Sequence, residues 1–321
     1  MKNTKLLIIA IVIATSLLIL PQYGVTADPQ QKAVLVTGAS TGIGRKIAEK
    51  LAAEGHYVYA GARKPEDIKA LSEIENVQGV RLDVTIQADI DAVVEIVRNG
   101  DYELHAVVNN AGVNSLGPLM EIDESELDFL FDVNIYGPYR IVKAFGPIII
   151  ESKGRIVNIS SISGTLSGGL YGIYSMSKHA LEAYTDSLAV EMELHGVKVI
   201  GIEPGNYKTN IYHNRCDRWL ASGYDPSESY WEEYVGSRLN VCKERPEDTD
   251  PEPHQVAAAA LHALFDESPK EHYLVVSRQV EAEWTIRKAI EELVSLNEDH
   301  EFSYSREQLI EMLDEEIEGE E

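Results

Sequence analysis

Tyr174 and Lys178 lie four residues apart and have the side chains needed for acid–base chemistry. On a helix, residues at this spacing share one face, which brings the ammonium group beside the phenol. A free tyrosine has a pKa near 10, and work near neutral pH requires a fall of roughly 3, about 4 kcal/mol. A nearby positive charge favours the phenolate and acts in that direction. Such a pair can exchange a proton with an alcohol or carbonyl oxygen, the partner step of a hydride transfer.

A glycine-rich turn near the start of the globular part has the pattern of a phosphate-binding loop. Apolar residues 33–37 predict a buried strand, and residues 42–54 predict an amphipathic helix. The turn between them reads Thr37-Gly38-Ala39-Ser40-Thr41-Gly42-Ile43-Gly44. Glycines there permit close approach of a pyrophosphate, and the helix N-terminus offers free N–H groups. A merely flexible turn is the alternative, but the strand–turn–helix context favours a dinucleotide site.

The spacing of these glycines, TGxxxGxG, differs from the common GxGxxG pattern and resembles the short-chain dehydrogenase/reductase family. Other elements of that family's pattern follow in order over residues 32–210. They are Asp83 after the third strand, Asn109-Asn110-Ala111-Gly112 after the fourth, Asn134, Ser161 thirteen residues before Tyr174, the YxxxK element Tyr174–Lys178, and Pro204-Gly205 followed by Thr209. Taken singly, Asp83 has an alternative role as a helix cap and Asn134 as a polar residue that bends a helix.

The resemblance implies a catalytic tetrad of Asn134, Ser161, Tyr174 and Lys178. Tyr174 is then the general acid/base and Ser161 donates a hydrogen bond to the substrate oxygen. Lys178 also holds the nicotinamide ribose, and Asn134 supports a water chain to Lys178. The implied cofactor-binding residues are Gly38, Ser40, Thr41, Gly42, Ile43, Gly44, Arg63, Asp83, Asn110, Ala111, Gly112, Tyr174, Lys178, Pro204, Gly205 and Thr209. Tyr171 does not fit this pattern, because Ser175 occupies the position four residues beyond it.

The end of the second predicted strand indicates which nicotinamide cofactor is bound. An acidic residue there would accept hydrogen bonds from the adenosine ribose and favour NAD. The chain has Ala62 at that position, followed by Arg63 and Lys64. A guanidinium suits a 2′-phosphate through paired charged hydrogen bonds, which favours NADP(H) over NAD(H). The alternative is that Arg63 and Lys64 are simply a solvated turn.

Apolar strands and amphipathic helices alternate along the body of the chain. This pattern predicts an α/β fold with a doubly wound, Rossmann-type parallel sheet covered on both faces. The third strand is expected at residues 80–84, and a long helical stretch is expected over residues 124–150, disturbed by Pro138 and Pro147.

Residues 30–280 form one domain. Residues 206–253, where periodicity is weak, form a substrate lid over the carboxyl ends of the strands. Residues 281–321 form an acidic helical C-terminal extension, with a possible capping box at Ser305 and Gln308.

Residues 1–27 have the pattern of a targeting segment. Lys2 and Lys5 precede an apolar run from position 6 to position 20, which spans about 22 Å as a helix and is shorter than the roughly 30 Å bilayer core. A cleaved signal peptide and a short membrane anchor are both compatible with this pattern. We expect a membrane-associated protein, or alternatively an exported one.

Charge and cysteine content limit the partners. The net charge of −25 argues against nucleic acid as a partner. Residues 281–321 alone have a net charge of −12, from fifteen acidic and three basic residues. The sequence contains no cluster of cysteine and histidine residues, so we expect no metal site. Export would permit Cys216 and Cys242 to form a disulfide; two unpaired buried thiols are the alternative.

The expected activity is NADP(H)-dependent interconversion of an alcohol and a ketone or aldehyde. Residues 182–188 and 196–205 resemble retinol and 17β-hydroxysteroid dehydrogenases, which implies a lipophilic substrate, and the family implies a homodimer or tetramer. Trp219, Tyr224, Tyr230, Trp231 and Tyr234 either line an apolar pocket or pack between helices. A catalytically silent nucleotide-binding sensor is the alternative function. A sugar-nucleotide epimerase is disfavoured by the glycine spacing.

Overall fold

Seven parallel strands form the centre of the molecule, which we describe from a computed structural model covering residues 31–319. The strands are β1 (Ala33–Val36), β2 (Tyr57–Ala62), β3 (Val77–Arg81), β4 (Leu104–Asn109), β5 (Arg155–Ile159), β6 (Lys198–Pro204) and β7 (His272–Val275). The strands are short, and β1, β2 and β4 at the centre and on one side of the sheet are almost fully buried, as expected for a sheet covered on both faces.

The strands lie in the order β3-β2-β1-β4-β5-β6-β7. Successive strands are added on one side of β1 as far as β3 and on its other side from β4 onwards, so the strand order reverses between β1 and β4. Val36 pairs with Ala60 on one side and with Val108 on the other, so the two halves of the sheet diverge from β1. A crevice opens at the carboxyl ends of the strands at such a reversal, and ligands of doubly wound sheets bind there. The predicted Rossmann-type fold is confirmed.

Helices cover both faces of the sheet and extend beyond it. They are α1 (Gly42–Ala53), α2 (Pro65–Ser72), α3 (Gln87–Arg98), α4 (Glu124–Phe131), α5 (Gly137–Glu151), α6 (Gly172–Glu193), α7 (Ile211–Ala221), α8 (Glu232–Glu244), α9 (His254–Phe265), α10 (Gln279–Asn297) and α11 (Arg306–Gly319). Helices α1, α2 and α9 pack on one face of the sheet, and α3, α5 and α6 pack on the other. Two apolar clusters therefore hold the sheet from opposite sides.

Two predicted elements were placed wrongly. The third strand was expected at residues 80–84, but β3 ends at Arg81, because its ladder with β2 starts at the pair Val58–Val77. The long helix expected over residues 124–150 is divided by a π-helical turn, Asp132–Tyr136. Pro138 lies in the first turn of α5, directly after the π-helical turn, and Pro147 lies within a helix that continues past it.

The stretch of weak periodicity, residues 206–253, contains α7 and α8, joined by a disulfide between Cys216 and Cys242. Of the two states considered for these cysteines, the disulfide is the one present. Trp219 packs beside this bond in a small apolar cluster with Val235 and Leu239. The segment is therefore a helical lobe with its own core.

The C-terminal extension consists of α10 and α11, and its predicted capping box is confirmed. The backbone N–H of Ser305 donates to Gln308 Oε1 at 2.9 Å, and the N–H of Gln308 donates to Ser305 Oγ at 3.2 Å. Within residues 31–319, no helix combines the length and hydropathy needed to cross a bilayer. The predicted signal peptide or anchor, residues 1–27, lies outside the described residues.

Candidate active site

The loop between β1 and α1 depends on glycine at three positions. Gly38 and Gly42 have φ values of +63° and +57°, a region that side chains disfavour. A Cβ on Gly38 would lie 2.8 Å from the Cα of Ala111. A Cβ on Gly44 would lie 2.3 Å from Asn110 Nδ2 and 2.5 Å from the carbonyl oxygen of Gly38. The sequence thus produces a loop whose backbone is packed directly against the segment after β4.

That segment is fixed to the glycine loop by hydrogen bonds. Asn110 Nδ2 donates to the carbonyl oxygens of Thr37 and Gly38 at 2.9 and 3.0 Å. Thr37 Oγ1 accepts from the backbone N–H groups of Asn110 and Ala111, both at 3.0 Å. Thr37 was not among the predicted site residues, although it precedes Gly38 directly. Its role depends on contact with β4, which local sequence does not reveal.

A cavity of about 580 Å³ opens at this edge of the sheet. It is lined by sixteen of the predicted residues, namely Gly38, Ser40, Thr41, Gly42, Ile43, Arg63, Asp83, Asn110, Ala111, Gly112, Ser161, Tyr174, Lys178, Pro204, Gly205 and Thr209. Gly44 and Asn134 do not line it and instead support the residues that do. The topology therefore brings nearly all of the predicted site residues to one cavity, which extends from the end of β2 to the start of α6.

The first turns of α6 place Tyr174 and Lys178 in the cavity wall, both of them buried. Lys178 Nζ lies 5.8 Å from the centre of the Tyr174 ring and donates to the carbonyl oxygen of Ile159 at 3.0 Å. Burial lowers the pKa of Lys178 to about 8, opposed by the charge of Glu182. The ammonium group therefore loses its proton more readily than a free lysine.

The protein groups around Tyr174 do not by themselves produce the expected fall in its pKa. Burial raises this pKa, and the Ser161 hydroxyl and the Arg215 guanidinium only partly oppose the rise. Because an apolar environment disfavours the phenolate, Tyr174 keeps its proton at neutral pH. In that state the hydroxyl is a proton donor.

Ser161 lies two residues after the end of β5 and caps a short 3₁₀ turn, Ile162–Gly164. Its Oγ accepts a hydrogen bond from the backbone N–H of Ser163 at 3.1 Å. This bond orients the oxygen as an acceptor and leaves the hydroxyl hydrogen free to point to the cavity. Ser161 is therefore arranged to donate to an oxygen atom held beside Tyr174.

Asn134 lies in the π-helical turn, and its side chain joins two segments of the site. Its Oδ1 accepts from the backbone N–H of Val113 at 2.8 Å, and its Nδ2 donates to the carbonyl oxygen of Val113 at 2.9 Å. Nδ2 also donates to Ser177 Oγ at 3.0 Å, next to Lys178. These bonds hold the loop after β4 against α6. The water chain expected of Asn134 stays a prediction.

The far end of the cavity carries a cation at its rim. The side chain of Arg63, after β2, is 63% exposed, and its Nη1 lies 4.0 Å from Asp83 Oδ2. Asp83 Oδ1 accepts hydrogen bonds from the N–H and hydroxyl of Thr85 at 3.0 and 2.7 Å. Asp83 thus holds a turn after β3 and leaves the Arg63 guanidinium largely free to bind an anion.

The loop after β6 packs against Glu281, the first acidic residue of the C-terminal extension. Glu281 is 0% exposed, and its Oε1 accepts from Asn206 Nδ2 at 2.6 Å and from Arg278 Nη2 at 2.7 Å. A Cβ on Gly205 would lie 2.7 Å from Glu281 Oε2. Glu281 is therefore buried although it begins an acidic extension, because it packs beneath Pro204 and Gly205.

Aromatic residues of the lid were predicted only partly. None of the five tryptophans and tyrosines considered for the lid lines the cavity, and Tyr230 is 87% exposed. Tyr171, Tyr207 and Tyr212 line it instead, together with Arg215. Tyr212 and Arg215 were missed because α7 has no motif, and only the tertiary structure shows which face it turns to the cavity.

A cluster of titratable groups, Glu182, Glu203 and His272 with Asp186 beside them, lies further along α6 from Lys178, in a chain for which no metal site was expected. Glu182 and Glu203 lie 3.6 and 2.8 Å from His272 Nδ1, and Asp186 lies 3.0 Å from Nε2. The hydrogen bond that His272 donates to Glu203 raises the pKa of His272 to about 9. An imidazolium ion among three carboxylates accounts for this geometry, so we assign the cluster to ion pairing between α6, β6 and β7.

Comparison with known proteins extends these observations. The family model described as short chain dehydrogenase matches residues 32–218. The uncharacterized oxidoreductase YbbO of Escherichia coli (strain K12) is 36% identical over 78% of this chain and 87% of that protein. An NADPH-dependent 3-dehydrocapnine reductase of Ornithobacterium rhinotracheale is 32% identical over 77% of this chain and 88% of that protein. A short-chain dehydrogenase structure from Streptomyces avermitilis, 30% identical, superimposes with a TM-score of 0.68 over 85% of this chain and 97% of that one.

Proposed function

Because the chain belongs to the short-chain dehydrogenase family of oxidoreductases, we propose that it interconverts a lipophilic alcohol and the matching ketone or aldehyde with NADP(H). One observation carries the proposal. Ser161, Tyr174 and Lys178 line the same cavity as the glycine loop and Arg63. A dinucleotide bound along the loop would therefore have its adenosine end near Arg63 and its nicotinamide end near Ser161, Tyr174 and Lys178.

The glycine loop fits the pyrophosphate part of such a cofactor. Side chains at Gly38 and Gly44 are excluded by close backbone contacts, which leaves main-chain N–H groups at the start of α1 facing the cavity. Lys178 would hold the nicotinamide ribose by its ammonium group, and Arg63 would bind the 2′-phosphate. A cofactor of this class, when bound, supplies or accepts the hydride.

In the reductive direction, the protein's residues handle the oxygen end of the carbonyl. Ser161 donates a hydrogen bond to that oxygen and fixes its position. Tyr174 donates its proton to the oxygen as the carbonyl carbon gains the hydride, which leaves a phenolate and an alcohol. The charges of Lys178 and Arg215 stabilise the phenolate. In oxidation, each step runs backwards with Tyr174 as the base.

The preference for NADP(H) is supported by Arg63 and by the absence of an acid at Ala62. The Ornithobacterium relative is named as NADPH-dependent, which agrees with this preference. The lipophilic substrate is supported by the apolar and aromatic lining near Tyr174, including Val113, Ile162 and Tyr212. The membrane or exported location and the homodimer or tetramer stay predictions.

The proposed activity is tested by following NADPH and NADH oxidation by the full-length protein with steroid ketones, retinal and simple aliphatic ketones and aldehydes. We expect at least one lipophilic carbonyl compound to be reduced, with NADPH preferred. Binding of NADPH without turnover of any compound would favour the nucleotide-sensor alternative.

Removing the cation at the cavity rim should weaken NADPH selectively. We expect Arg63→Ser to raise the Kd for NADPH about 100-fold and the Kd for NADH less than about 3-fold, because only NADPH carries the phosphate. Fluorescence titration of both cofactors measures this. Lys64→Ser is the matched control, since Lys64 does not line the cavity. Equal weakening of both cofactors, or tighter binding of NADH by the parent protein, would contradict the assignment.

The depressed pKa of Lys178 predicts the pH dependence. Lys178 is charged below its pKa of about 8 and neutral above it. The reductive kcat/KM should therefore fall as pH rises through about 8, approaching about tenfold per pH unit. Glu182 raises this pKa, so Glu182→Gln should move the fall to lower pH. Glu191→Gln, an exposed change on the same helix, should leave it in place. A profile that stays flat to about pH 10 would exclude this role for Lys178.

A further inference from the structure

Arg215, on the cavity side of α7, is a buried cation for which the described residues supply no counter-ion. It is 6% exposed. Within residues 31–319, no carboxylate oxygen lies within 4.0 Å of its guanidinium nitrogens, and its buried Nε has no hydrogen-bond partner. Arginine side chains stay protonated in proteins, and a buried charge without a partner is strongly unfavourable. Such a group indicates that its partner comes from outside the described chain.

A neighbouring arginine shows the usual arrangement. Arg218, one turn further along α7, has Nη2 3.3 Å from Glu126 Oε1 and also donates to the carbonyl oxygen of Asn114. Arg218 thus fastens the lid helix to the domain. Arg215 makes no such bond, so fastening the lid does not explain it.

The surroundings of Arg215 hold it in a defined position. Its Cζ lies 4.8 Å from the centre of the Tyr212 ring and 5.4 Å from that of Tyr171. Stacking on aromatic rings orients a guanidinium while leaving the in-plane N–H groups free for a planar anion. The next residue, Cys216, is tied to α8 by the disulfide, which limits movement of this part of α7.

Arg215 shares the cavity with the reacting groups. Arg215, Tyr171 and Tyr212 line the space that Ser161 and Tyr174 also line. Burial raises the pKa of the Tyr174 phenol, and the positive charge of Arg215 partly opposes that rise. The two side chains are therefore close together in a poorly solvated site. A molecule held by Ser161 and Tyr174 through its carbonyl oxygen can reach Arg215 with a second polar group.

We propose that Arg215 binds a carboxylate on the substrate, so that the enzyme acts on an oxo acid or hydroxy acid with an otherwise apolar chain. This inference rests on the proposed function and names the chemical class of its substrate. The carboxylate pairs with the guanidinium through two parallel hydrogen bonds. This pairing orients the carbonyl group of the same molecule toward Tyr174.

The test compares acids with their neutral esters. The probes are 2-oxo-, 3-oxo- and 4-oxooctanoate and their methyl esters, reduced with NADPH by the full-length protein. For at least one pair, we expect kcat/KM of the acid to exceed that of the ester about 100-fold. Arg215→Met should lower kcat/KM for the acid to about the value for the ester, with the ester little changed. Arg215→Lys keeps the charge without the planar guanidinium, and its kcat/KM for the acid should lie between those of the parent protein and Arg215→Met.

Arg238→Met is the matched control, because Arg238 lies on α8, stacks on Tyr234 and does not line the cavity. It should keep the preference for the acid. A second readout, independent of turnover, is calorimetric binding of the hydroxyoctanoate that corresponds to the preferred oxo acid, to the protein saturated with NADP⁺. The parent protein should bind it and Arg215→Met should not.

The possible outcomes separate this inference from the proposed function. Reduction of esters as well as acids by the parent protein, or an equal loss for both in Arg215→Met, would overturn the carboxylate site and leave the oxidoreductase assignment intact. Failure of the parent protein to bind the hydroxyoctanoate that corresponds to its preferred oxo acid would overturn the site as well. NADPH binding without reduction of any probe or of the wider carbonyl panel would count against the proposed function itself.

Discussion

Replacing Tyr174 with phenylalanine is expected to lower the reductive kcat/KM about 1,000-fold. The change removes only the hydroxyl, and that hydroxyl is the proton donor that burial keeps protonated at neutral pH. Cofactor affinity should change little, because the ring still fills its place in the wall of the cavity. Steady-state kinetics with NADPH and titration of NADPH binding measure the two effects separately.

Tyr171→Phe is the control for this change. Tyr171 also lines the cavity, and its ring stacks near Arg215, but no lysine lies four residues beyond it. We expect Tyr171→Phe to keep activity within about 5-fold of the parent protein, since its ring is retained. If Tyr174→Phe were as active as Tyr171→Phe, another group would have to supply the proton.

The second large effect is expected at Gly44. In Gly44→Ala, the added methyl group would meet Asn110 Nδ2 at 2.3 Å and the carbonyl oxygen of Gly38 at 2.5 Å. Backbone cannot move aside as a flexible side chain can, so the loop must shift and the bonds that Asn110 makes to it must break. A cost of about 2–3 kcal/mol corresponds to a loss of about 100-fold in NADPH affinity.

Gly146→Ala provides the comparison for Gly44→Ala. Gly146 lies within α5, and a Cβ there has nothing within 4 Å. This change should leave NADPH affinity unaltered and raise the free energy of unfolding by about 1 kcal/mol, because alanine favours the helix. Fluorescence titration and thermal unfolding of both variants give the comparison. Unchanged NADPH binding in Gly44→Ala would mean that the loop does not hold the cofactor.

The residues that sequence predicted correctly belong to short local patterns. Gly38, Gly42 and Gly44 fit a strand–turn–helix context, and the spacing of Tyr174 and Lys178 fits one face of a helix. Parallel topology then brings these patterns to the same edge of the sheet, because the carboxyl ends of all the strands lie there. The fold and most of the cavity were predictable for this reason.

The residues that sequence missed gain their roles from tertiary contacts. Arg215 and Tyr212 lie in a segment without motif or clear periodicity, and only packing of α7 on the domain shows their position. Glu281 belongs to an acidic stretch whose composition indicates a solvated surface, yet it is buried beneath Gly205. The burial that raises the pKa of Tyr174 was also missed, because the proximity of Lys178 can be inferred from spacing, whereas the degree of burial cannot.

The central claim is that this cavity brings a nicotinamide and a carbonyl compound together for direct hydride transfer. The most direct measurement follows deuterium from NADPH labelled at C4 of the nicotinamide, on the transferred face, into the product of the full-length protein. Mass spectrometry of the alcohol should find one deuterium on the carbinol carbon, formed at a rate that falls about 1,000-fold in Tyr174→Phe. An alcohol without deuterium, or NADPH that binds in the cavity while every carbonyl compound tested stays unreduced, would contradict the claim.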